Sequence, residues 1–362
     1  MLNTNILKNE EAVSLKLRSI YSGFGYNRFK MSKFEEYDLY VRNKDFLISD
    51  GIITFTDTNG KLLALKPDVT LSIIKNSTDD GGTKKLYYDE NVYRISGDSK
   101  SFKEITQTGL ECIGKVTLYD ECEVLYLALE SLATIDKNFI LDLSHAGLVA
   151  VLLDSMNLEN GVRRKIVEAL QAKSADALTS LYEAGEIDRR SLDISNKLLA
   201  NYKSSKALKS AFKGLGADDE LESFVSILAA AEQFDFGGKL NVDFSIVDDR
   251  SYYSGVVFKG YIKGVPSEVL SGGRYDKIMK KMGKSSGAIG FAVYLDLLER
   301  HGAEKNDFDY DYIITGANEL DAASVIAKVK ELGLGGKKVA VMSEIPNDVT
   351  YREVIDLAKG EK

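Results

Sequence analysis

The spacing of apolar and polar positions predicts one helix followed by two hairpins in the first third of the chain. Residues 9–24 carry apolar side chains at near-helical spacing, and glycines end the run. From about residue 28 to 115, short β-rich runs alternate with turns. "ITFTD" and "LLALKP" flank one turn and predict a hairpin, and "KLYYDENVYRIS" and "KEITQTGLECIGKV" predict a second, longer hairpin.

The middle of the chain is predicted to be helical, and strands return after it. Helical periodicity covers 119–135, and "NFILDLSH" predicts a strand. The block at about 147–236 shows several runs of helical spacing that are separated by Gly or Asp residues. Strands are then predicted for "LNVDFSIV", "YYSGVVFKGYI" and "SEVLSGGRYD". The apolar run at about 291–300 predicts a closing helix.

The last part of the chain predicts a small parallel α/β unit. "DYDYIITG", "ELDAASVIAKVKEL", "KKVAVMS" and "YREVIDLAK" follow one another as strand, helix, strand and helix. The whole pattern indicates an α+β fold with one large mixed, mainly antiparallel sheet. We expect a first domain over 1–305 that contains the helical insertion, and a C-terminal segment over 306–362.

Composition and charge narrow the classes of function. The chain has 362 residues, 44% of them hydrophobic, and a net charge of −8. Such a balance is typical of a globular protein, and it argues against a nucleic-acid partner held mainly through its phosphates. Apolar runs are too short for a membrane helix. Cys112 and Cys122 are the only cysteines, which indicates a reducing cytoplasm.

Metal and cofactor motifs are missing from the sequence. His145 and His301 are the only histidines, and neither has a Cys, His or Asp neighbour at metal-ligand spacing. His145 ends a predicted strand. The simplest interpretation is a structural polar residue whose ring nitrogens have hydrogen-bond partners. The glycine-rich nucleotide signatures and the nucleophile elbow do not occur either. We therefore predict neither a metal site nor a cofactor.

The strand 103–113 carries a polar pair that could bind a cation. Gln107 and Glu111 share one face of this strand, and Gly109 between them would leave a notch open to a ligand. Two oxygen-bearing groups there suit an ammonium ion. Spacing alone fits a solvated face of an antiparallel sheet better, because such alternation is common.

Other polar residues at strand ends allow two interpretations each. Asp68 follows a proline, which is also ordinary turn chemistry, and Arg94 ends a strand, where arginine is usually a surface residue but can also bind a carboxylate. The glycine pair before Tyr275 allows a backbone bend or a tight turn. The charges at 248–250, just before the strand predicted over 252–258, indicate either a solvated turn or the edge of a site.

Taken together, five segments in one order resemble a known family. "LKPDVTLSIIKN", "NVYRISGDSKSFKEITQTGLECIG", "YYSGVVF", "SGGRYDKIM" and "GAIGFAVYLDLL" resemble the catalytic domain of histidyl-tRNA synthetase, a class II aminoacyl-tRNA synthetase, over roughly residues 10–300. The resemblance is strongest to the non-aminoacylating relatives of that enzyme, the regulatory subunits of ATP phosphoribosyltransferase.

The resemblance implies a histidine-binding pocket that is largely intact. In the synthetases an acidic residue, a Gln and a Glu hold the ammonium group, an arginine holds the carboxylate and α-phosphate, and tyrosines line the imidazole site. The matching residues here are Asp68, Thr70, Arg94, Gln107, Glu111, Tyr253 and Tyr275.

The same resemblance implies that catalysis is lost. Asp248 stands where the synthetases have an arginine that stabilises the adenylation transition state, and a carboxylate would repel phosphates there. Leu297 replaces the arginine that contacts the γ-phosphate. Ser96 and Gly97 replace a Glu and an Arg. We therefore expect no enzymatic activity from the chain itself.

The resemblance also implies partners. Members of the family join a short-form ATP phosphoribosyltransferase catalytic subunit in a hetero-octamer, which performs the first step of histidine biosynthesis and is inhibited by histidine. The segment 27–40 matches the dimer motif of class II synthetases, with Ser32 in place of its proline, and predicts self-association. The C-terminal segment resembles the start of an anticodon-binding domain, but with a net charge of −8 we expect no tRNA binding. An active histidyl-tRNA synthetase and a pseudo-synthetase with another partner are the alternative interpretations.

Overall fold

The computed structural model describes residues 7–47, 51–79, 81–95, 101–246, 252–299, 301, 308–317 and 321–359. The chain divides into two compact units. One is Val13–Leu298, and the other combines Met1–Ala12 with Glu299–Lys362.

The strands and helices are numbered in chain order. The strands are β1 (Asn27–Arg28), β2 (Phe34–Glu36), β3 (Thr54–Thr56), β4 (Leu62–Leu65), β5 (Lys84–Ile95), β6 (Phe102–Gly114), β7 (Phe139–His145), β8 (Leu240–Val242), β9 (Val256–Ile262), β10 (Leu270–Arg274), β11 (Gly287–Tyr294), β12 (Tyr310–Thr315), β13 (Val339–Val341) and β14 (Tyr351–Asp356). The helices are α1 (Asn9–Gly23), α2 (Tyr37–Arg42), α3 (Thr70–Asn76), α4 (Leu118–Ile135), α5 (Ala146–Asp154), α6 (Asn160–Gln171), α7 (Ala175–Glu183), α8 (Arg189–Leu199), α9 (Ser205–Phe212), α10 (Asp218–Ala231), α11 (Asp276–Lys281) and α12 (Ala322–Leu332).

An eight-stranded sheet forms the centre of the first unit. Its strand order is β1-β5-β6-β11-β10-β9-β7-β8. The two end pairs, β1 with β5 and β7 with β8, are parallel, and the other neighbours are antiparallel. The prediction of an α+β fold with a mixed, mainly antiparallel sheet is confirmed.

Both predicted hairpins are present. β3 and β4 pair antiparallel, and β2 joins β4 on its other side to give a small three-stranded sheet. β5 and β6 pair over their whole length, with Tyr88 opposite Gly109 and Glu90 opposite Gln107. This register places alternate residues of the two strands on the same face of the large sheet.

Two apolar clusters cover the large sheet. The larger cluster packs buried residues of α1, α4 and the helices α5–α10 against the strands, and Leu17, Leu132 and Phe224 are among its fully buried members. The second cluster contains residues of α2, α3 and α11, including Tyr40, Ile73 and Met279. The predicted helical insertion is therefore present as six successive helices between β7 and β8.

Local capping chemistry explains where several helices begin. Thr117 and Asp120 form a reciprocal capping box at the start of α4. Ser174, Asp188 and Ser204 accept backbone N–H bonds at the starts of α7, α8 and α9. Among the described helices, none combines the length and the apolar character needed to cross a bilayer.

The predicted helix at about 291–300 is wrong. Residues Gly287–Tyr294 form the central strand β11, and a short 3₁₀ turn, Leu295–Leu298, follows. β11 lies between β6 and β10 and is mostly buried, so the run lacks the polar alternation of a half-exposed strand. A short, continuously apolar run has no period that separates helix from strand.

Several other boundaries differ from the prediction. "YREVIDLAK" contains the strand β14, which pairs parallel with β12, where a helix was expected. β8 ends at Val242, and a 3₁₀ turn, Phe244–Ile246, follows it. Tyr252 and Tyr253 precede strand β9 instead of belonging to it.

The second unit contains a three-stranded parallel sheet in the order β13-β12-β14, with helix α12. Asp321 caps α12 by accepting the backbone N–H groups of Ala323 and Ser324.

Candidate functional site

A cavity of about 470 Å³ opens on the face of the large sheet that carries Gln107 and Glu111. All seven residues that the sequence resemblance assigned to a histidine pocket line it. They are Asp68, Thr70, Arg94, Gln107, Glu111, Tyr253 and Tyr275. The face that spacing alone indicated as solvated is therefore the wall of a cavity, and Gln107 and Glu111 are only 3% and 2% exposed.

Glu111 lines this cavity, and its carboxyl group is held from two sides. Thr70 Oγ1 donates a hydrogen bond to Glu111 Oε1 at 2.8 Å, and the Tyr275 hydroxyl donates to Oε2. Burial raises the pKa of the Glu111 carboxyl to about 8; the two hydroxyl donors lower this pKa, and the charge of Asp68 raises it further. A buried carboxyl with hydroxyl donors and a second acid nearby is suited to receive a cation.

Gly290 provides the space that the Glu111 side chain occupies. The two residues are opposite each other in the β6–β11 pair. A Cβ atom at position 290 would overlap the Glu111 carboxylate and the Leu110 carbonyl oxygen. The absence of a side chain at Gly290 is thus a requirement of the cavity.

Asp68 and Arg94 form one edge of the cavity. Asp68 Oδ1 accepts the Leu71 backbone N–H at 2.8 Å in the first turn of α3. Burial raises the pKa of Asp68, while this backbone bond and the charge of Arg94 lower it. Arg94 Nε in turn donates to the Pro67 carbonyl at 2.9 Å. Asp68 therefore combines the turn chemistry and the cavity position that the sequence left as alternatives.

A buried ion pair fixes the segment that precedes Asp68. Lys66 is fully buried, and its Nζ lies 2.5 Å from Glu90 Oε2 on β5. The Lys66 carbonyl also accepts the Tyr93 backbone N–H at 2.9 Å. The sequence analysis did not identify this lysine, because a lysine after an apolar strand usually indicates a solvated end.

Aromatic side chains form another wall. The rings of Tyr252 and Tyr253 lie 4.8 Å apart, and those of Tyr252 and Tyr275 lie 5.8 Å apart. Phe46 contacts Tyr252 with its ring centre at 6.2 Å. Burial raises the pKa of both Tyr252 and Tyr275 well above 10, so these phenols stay neutral. Such a wall suits a flat apolar ring with polar atoms at its rim.

The expected open notch at Gly109 is wrong. The phenol of Tyr88, from the opposite strand β5, covers this glycine, and its hydroxyl oxygen lies 2.5 Å from where a Cβ atom of residue 109 would be. Tyr88 lines the cavity but was not identified from the sequence. If the residues of the predicted β5–β6 hairpin are paired outward from the connecting loop, Tyr88 falls opposite Gly109. That pairing could have indicated Tyr88 as a cavity residue.

The outer part of the cavity contains charges of both signs. Lys103, Lys259, Glu268 and Asp296 line it, together with Leu297. Leu297 thus reaches the cavity without a group that could bind phosphate. Asp248, Ser96 and Gly97 lie outside the described residues. Within those residues, no group of three or more His, Cys, Asp or Glu side chains is arranged to hold a metal ion.

His145 has the structural role that its sequence position indicated. It caps helix α5, with Nδ1 accepting the Leu148 backbone N–H at 3.0 Å. Burial lowers the pKa of His145 to about 4, so the ring stays neutral and its second nitrogen carries the proton.

Comparisons with known proteins agree with the fold. The sequence model of the family described as "Histidyl-tRNA synthetase" matches residues 2–298. A protein of Clostridium kluyveri named ATP phosphoribosyltransferase regulatory subunit is 30% identical over 322 residues, which make up 83% of this chain and 81% of that protein.

Solved structures show the same architecture. An ATP phosphoribosyltransferase regulatory subunit/histidyl-tRNA synthetase from Bacillus halodurans has a TM-score of 0.75 at 24% identity, covering 96% of this chain and 93% of that one. A chain of the ATP phosphoribosyl transferase (HisG:HisZ) complex from Thermotoga maritima has a TM-score of 0.62 at 20% identity, covering 78% and 96%. The expected class II synthetase-like fold is confirmed.

Proposed function

The chain belongs to the histidyl-tRNA synthetase-like family of ATP phosphoribosyltransferase regulatory subunits, and on that premise we propose that it acts with a short-form ATP phosphoribosyltransferase catalytic subunit. The complex would form phosphoribosyl-ATP from ATP and phosphoribosyl pyrophosphate, the first step of histidine biosynthesis. The chain itself would be a non-catalytic subunit, and histidine would act through it as a feedback inhibitor.

The observation that carries this proposal is the residue content of the cavity. The residues matched to the amino-acid pocket of the synthetases are present, whereas one arginine matched to phosphate binding is replaced. The seven residues matched to the histidine pocket line one cavity, and Leu297, which the resemblance matches to a phosphate-binding arginine of the synthetases, lines it too. A leucine offers no donor to a phosphate oxygen, so the site favours binding over adenylate chemistry. The Thermotoga maritima protein of the same fold is described as part of a complex, which supports the choice of partner.

We propose that histidine binds in this cavity. Its ammonium group would lie among Asp68, Gln107 and Glu111, and Arg94 would hold its carboxylate. Its ring would stack on the aromatic wall near Tyr253 and Tyr275, and Thr70 would keep the Glu111 carboxylate in place. Burial raises the pKa of both acids, that of Glu111 to about 8, and a bound ammonium group would favour their charged forms and form charge-assisted hydrogen bonds with them.

We also propose that the chain self-associates in the cytoplasm, as a dimer within a hetero-octamer. The segment 27–40 contains the edge strand β1 of the large sheet, and an open edge is usually covered in native proteins. Phe34 of this segment is 51% exposed, and Val41, which directly follows the segment, is 45% exposed. Light scattering at micromolar concentration should give at least twice the chain mass of 40.0 kDa, and a monomer would contradict the proposal.

Reconstitution with the catalytic subunit tests the proposed function. The purified chain is mixed with a short-form catalytic subunit, and phosphoribosyl-ATP formation is followed with and without histidine. We expect activity only from the mixture and inhibition by histidine. The chain alone should catalyse no histidine-dependent ATP–pyrophosphate exchange. Robust exchange would favour the active synthetase, and a mixture that the chain does not stimulate would favour a different partner.

A further inference from the structure

Tyr88 contributes a phenol ring to the lining of the cavity. It lies on β5 opposite Gly109, in the row between Gln107 and Glu111 on the neighbouring strand. The residue is only 1% exposed, yet it lines the cavity. A larger residue at 109 would collide with its hydroxyl group. The missing side chain at Gly109 therefore leaves room for the phenolic hydroxyl in the row between Gln107 and Glu111.

Tyr88 and Gln107 both line the cavity, and among the described residues no protein group forms a hydrogen bond with the Tyr88 hydroxyl or the Gln107 side chain. The neighbouring Tyr275 hydroxyl, in contrast, donates to Glu111. Neither group is among the fully enclosed polar atoms that lack a partner, so both face the space of the cavity. Polar groups that line a cavity without a protein partner are free to form hydrogen bonds with a ligand.

The surroundings of Tyr88 determine which ligand group it faces. Burial raises the pKa of the Tyr88 hydroxyl well above 10, and the charges of Glu111 and Asp68 raise it further. The phenol therefore remains neutral and keeps an acceptor lone pair. Two carboxyls, an amide oxygen and a phenol oxygen around one space form a set of acceptors, and such a set is complementary to an ammonium group with its three N–H donors.

We propose that Tyr88 is a further ligand-binding residue, whose hydroxyl oxygen accepts a hydrogen bond from the ammonium group of the bound amino acid. This inference rests on the proposed function, because it takes histidine as the ligand of the cavity. It adds a fourth acceptor to Asp68, Gln107 and Glu111, and it makes the amine of the ligand the group that Tyr88 selects.

The test compares two ligands in Tyr88→Phe. Calorimetric titration measures the affinity for histidine and for imidazole-lactate, in which a hydroxyl replaces the amine. Removing one hydrogen bond of about 1–1.4 kcal/mol should weaken histidine binding about five- to tenfold. Imidazole-lactate should lose less than twofold. A general loss of folded protein would lower both affinities together, so the ratio of the two isolates the contact with the amine.

Tyr40→Phe is the matched control. Tyr40 is fully buried in the same apolar cluster as Tyr88, but it does not line the cavity. Both ligands should bind this variant as they bind the unchanged chain. A second variant carries 3,5-difluorotyrosine at position 88, which keeps the ring and weakens the hydroxyl as an acceptor. It should lower histidine affinity in the same direction as Tyr88→Phe.

Two results would overturn the inference while leaving the proposed function intact. One is unchanged histidine affinity in Tyr88→Phe. The other is an equal loss for histidine and imidazole-lactate, which would give Tyr88 a purely structural role. If the unchanged chain binds no histidine, alone or with the catalytic subunit, the histidine-sensing part of the proposed function fails as well. A selective loss of histidine binding supports both.

Discussion

The Tyr275 hydroxyl donates a hydrogen bond to the Glu111 carboxylate, although the two residues are 164 positions apart in the sequence. With Thr70 on the other carboxylate oxygen, both oxygens of Glu111 have a donor before a ligand arrives. The side chain is therefore fixed in one orientation, which lowers the entropy lost when a ligand binds.

Substitution of Glu111 should weaken histidine binding strongly. Glu111→Gln keeps the volume and removes the charge-assisted bond to the ammonium group, which is worth about 1.5–3 kcal/mol. Affinity should fall by about one to two decades in calorimetric titrations, alone and with the catalytic subunit. Glu123→Gln, a buried glutamate outside the cavity that pairs with Lys85, is the control and should bind histidine normally. If Glu111→Gln binds histidine as tightly as the unchanged chain, the histidine site lies outside this cavity.

The stability of the empty chain should fall as the pH rises towards 8. Burial raises the pKa of Glu111 from 4.5 to about 8 in the folded chain. Between these values the folded state binds more protons than the unfolded state, so the free energy of unfolding decreases with increasing pH. The contribution of Glu111 protonation to stability is complete below the pKa of the unfolded state. It is lost as the pH rises through the pKa of the folded state. Urea unfolding at pH 5.5–8.5 should show this slope, and Glu111→Gln should reduce it.

Gly290→Ala should damage the cavity through a single methyl group. The added Cβ atom overlaps the Glu111 carboxylate and a backbone oxygen of β6, so the strands must shift. Overpacking of this kind costs about 1–3 kcal/mol of stability, and histidine affinity should fall with it. Gly161→Ala is the control, because nothing lies within 4 Å of that position and it belongs to helix α6. Thermal unfolding and titration that show no difference between the two variants would refute this account of Gly290.

Loss of Lys66 should destabilise the chain more than loss of a surface lysine. Lys66→Met leaves the Glu90 charge without its buried partner, and breaking a buried pair costs about 3 kcal/mol or more. Lys209→Met removes a partner of Glu222 from an exposed pair and should cost about 1 kcal/mol or less. Urea unfolding compares the two. The double variant Lys66→Met/Glu90→Gln should recover part of the loss, and no recovery would argue against the ion pair as the cause.

The sequence patterns predicted the hairpins and which polar residues share a face, but not which face is covered. Gln107 and Glu111 alternate with other residues in the same way on a solvated sheet and in a cavity wall. Their burial depends on Tyr275, Thr70 and the segment around Tyr252, which pack over this face from distant parts of the chain. Only the resemblance to a family carried that information.

The errors in the predicted elements have a related cause. β11 is covered on both faces, so its residues show neither the alternation of an edge strand nor a clear helical period. Tyr88 was missed because its importance lies in its pairing with Gly109, a relation between two strands. Tertiary contacts of this kind leave no periodic trace in the sequence.

The β6–β11 pair joins strands from before and after the long helical insertion. We call this pair the seam of the sheet, and residues of both strands line the cavity. During folding, the β5–β6 hairpin can form from local contacts, whereas the seam requires the closure of a very long loop and should form late. An early intermediate would thus contain Gln107 and Glu111 without the tyrosines that complete the site. The return of histidine affinity during refolding would therefore mark the closure of the sheet, and bound histidine would slow its reopening.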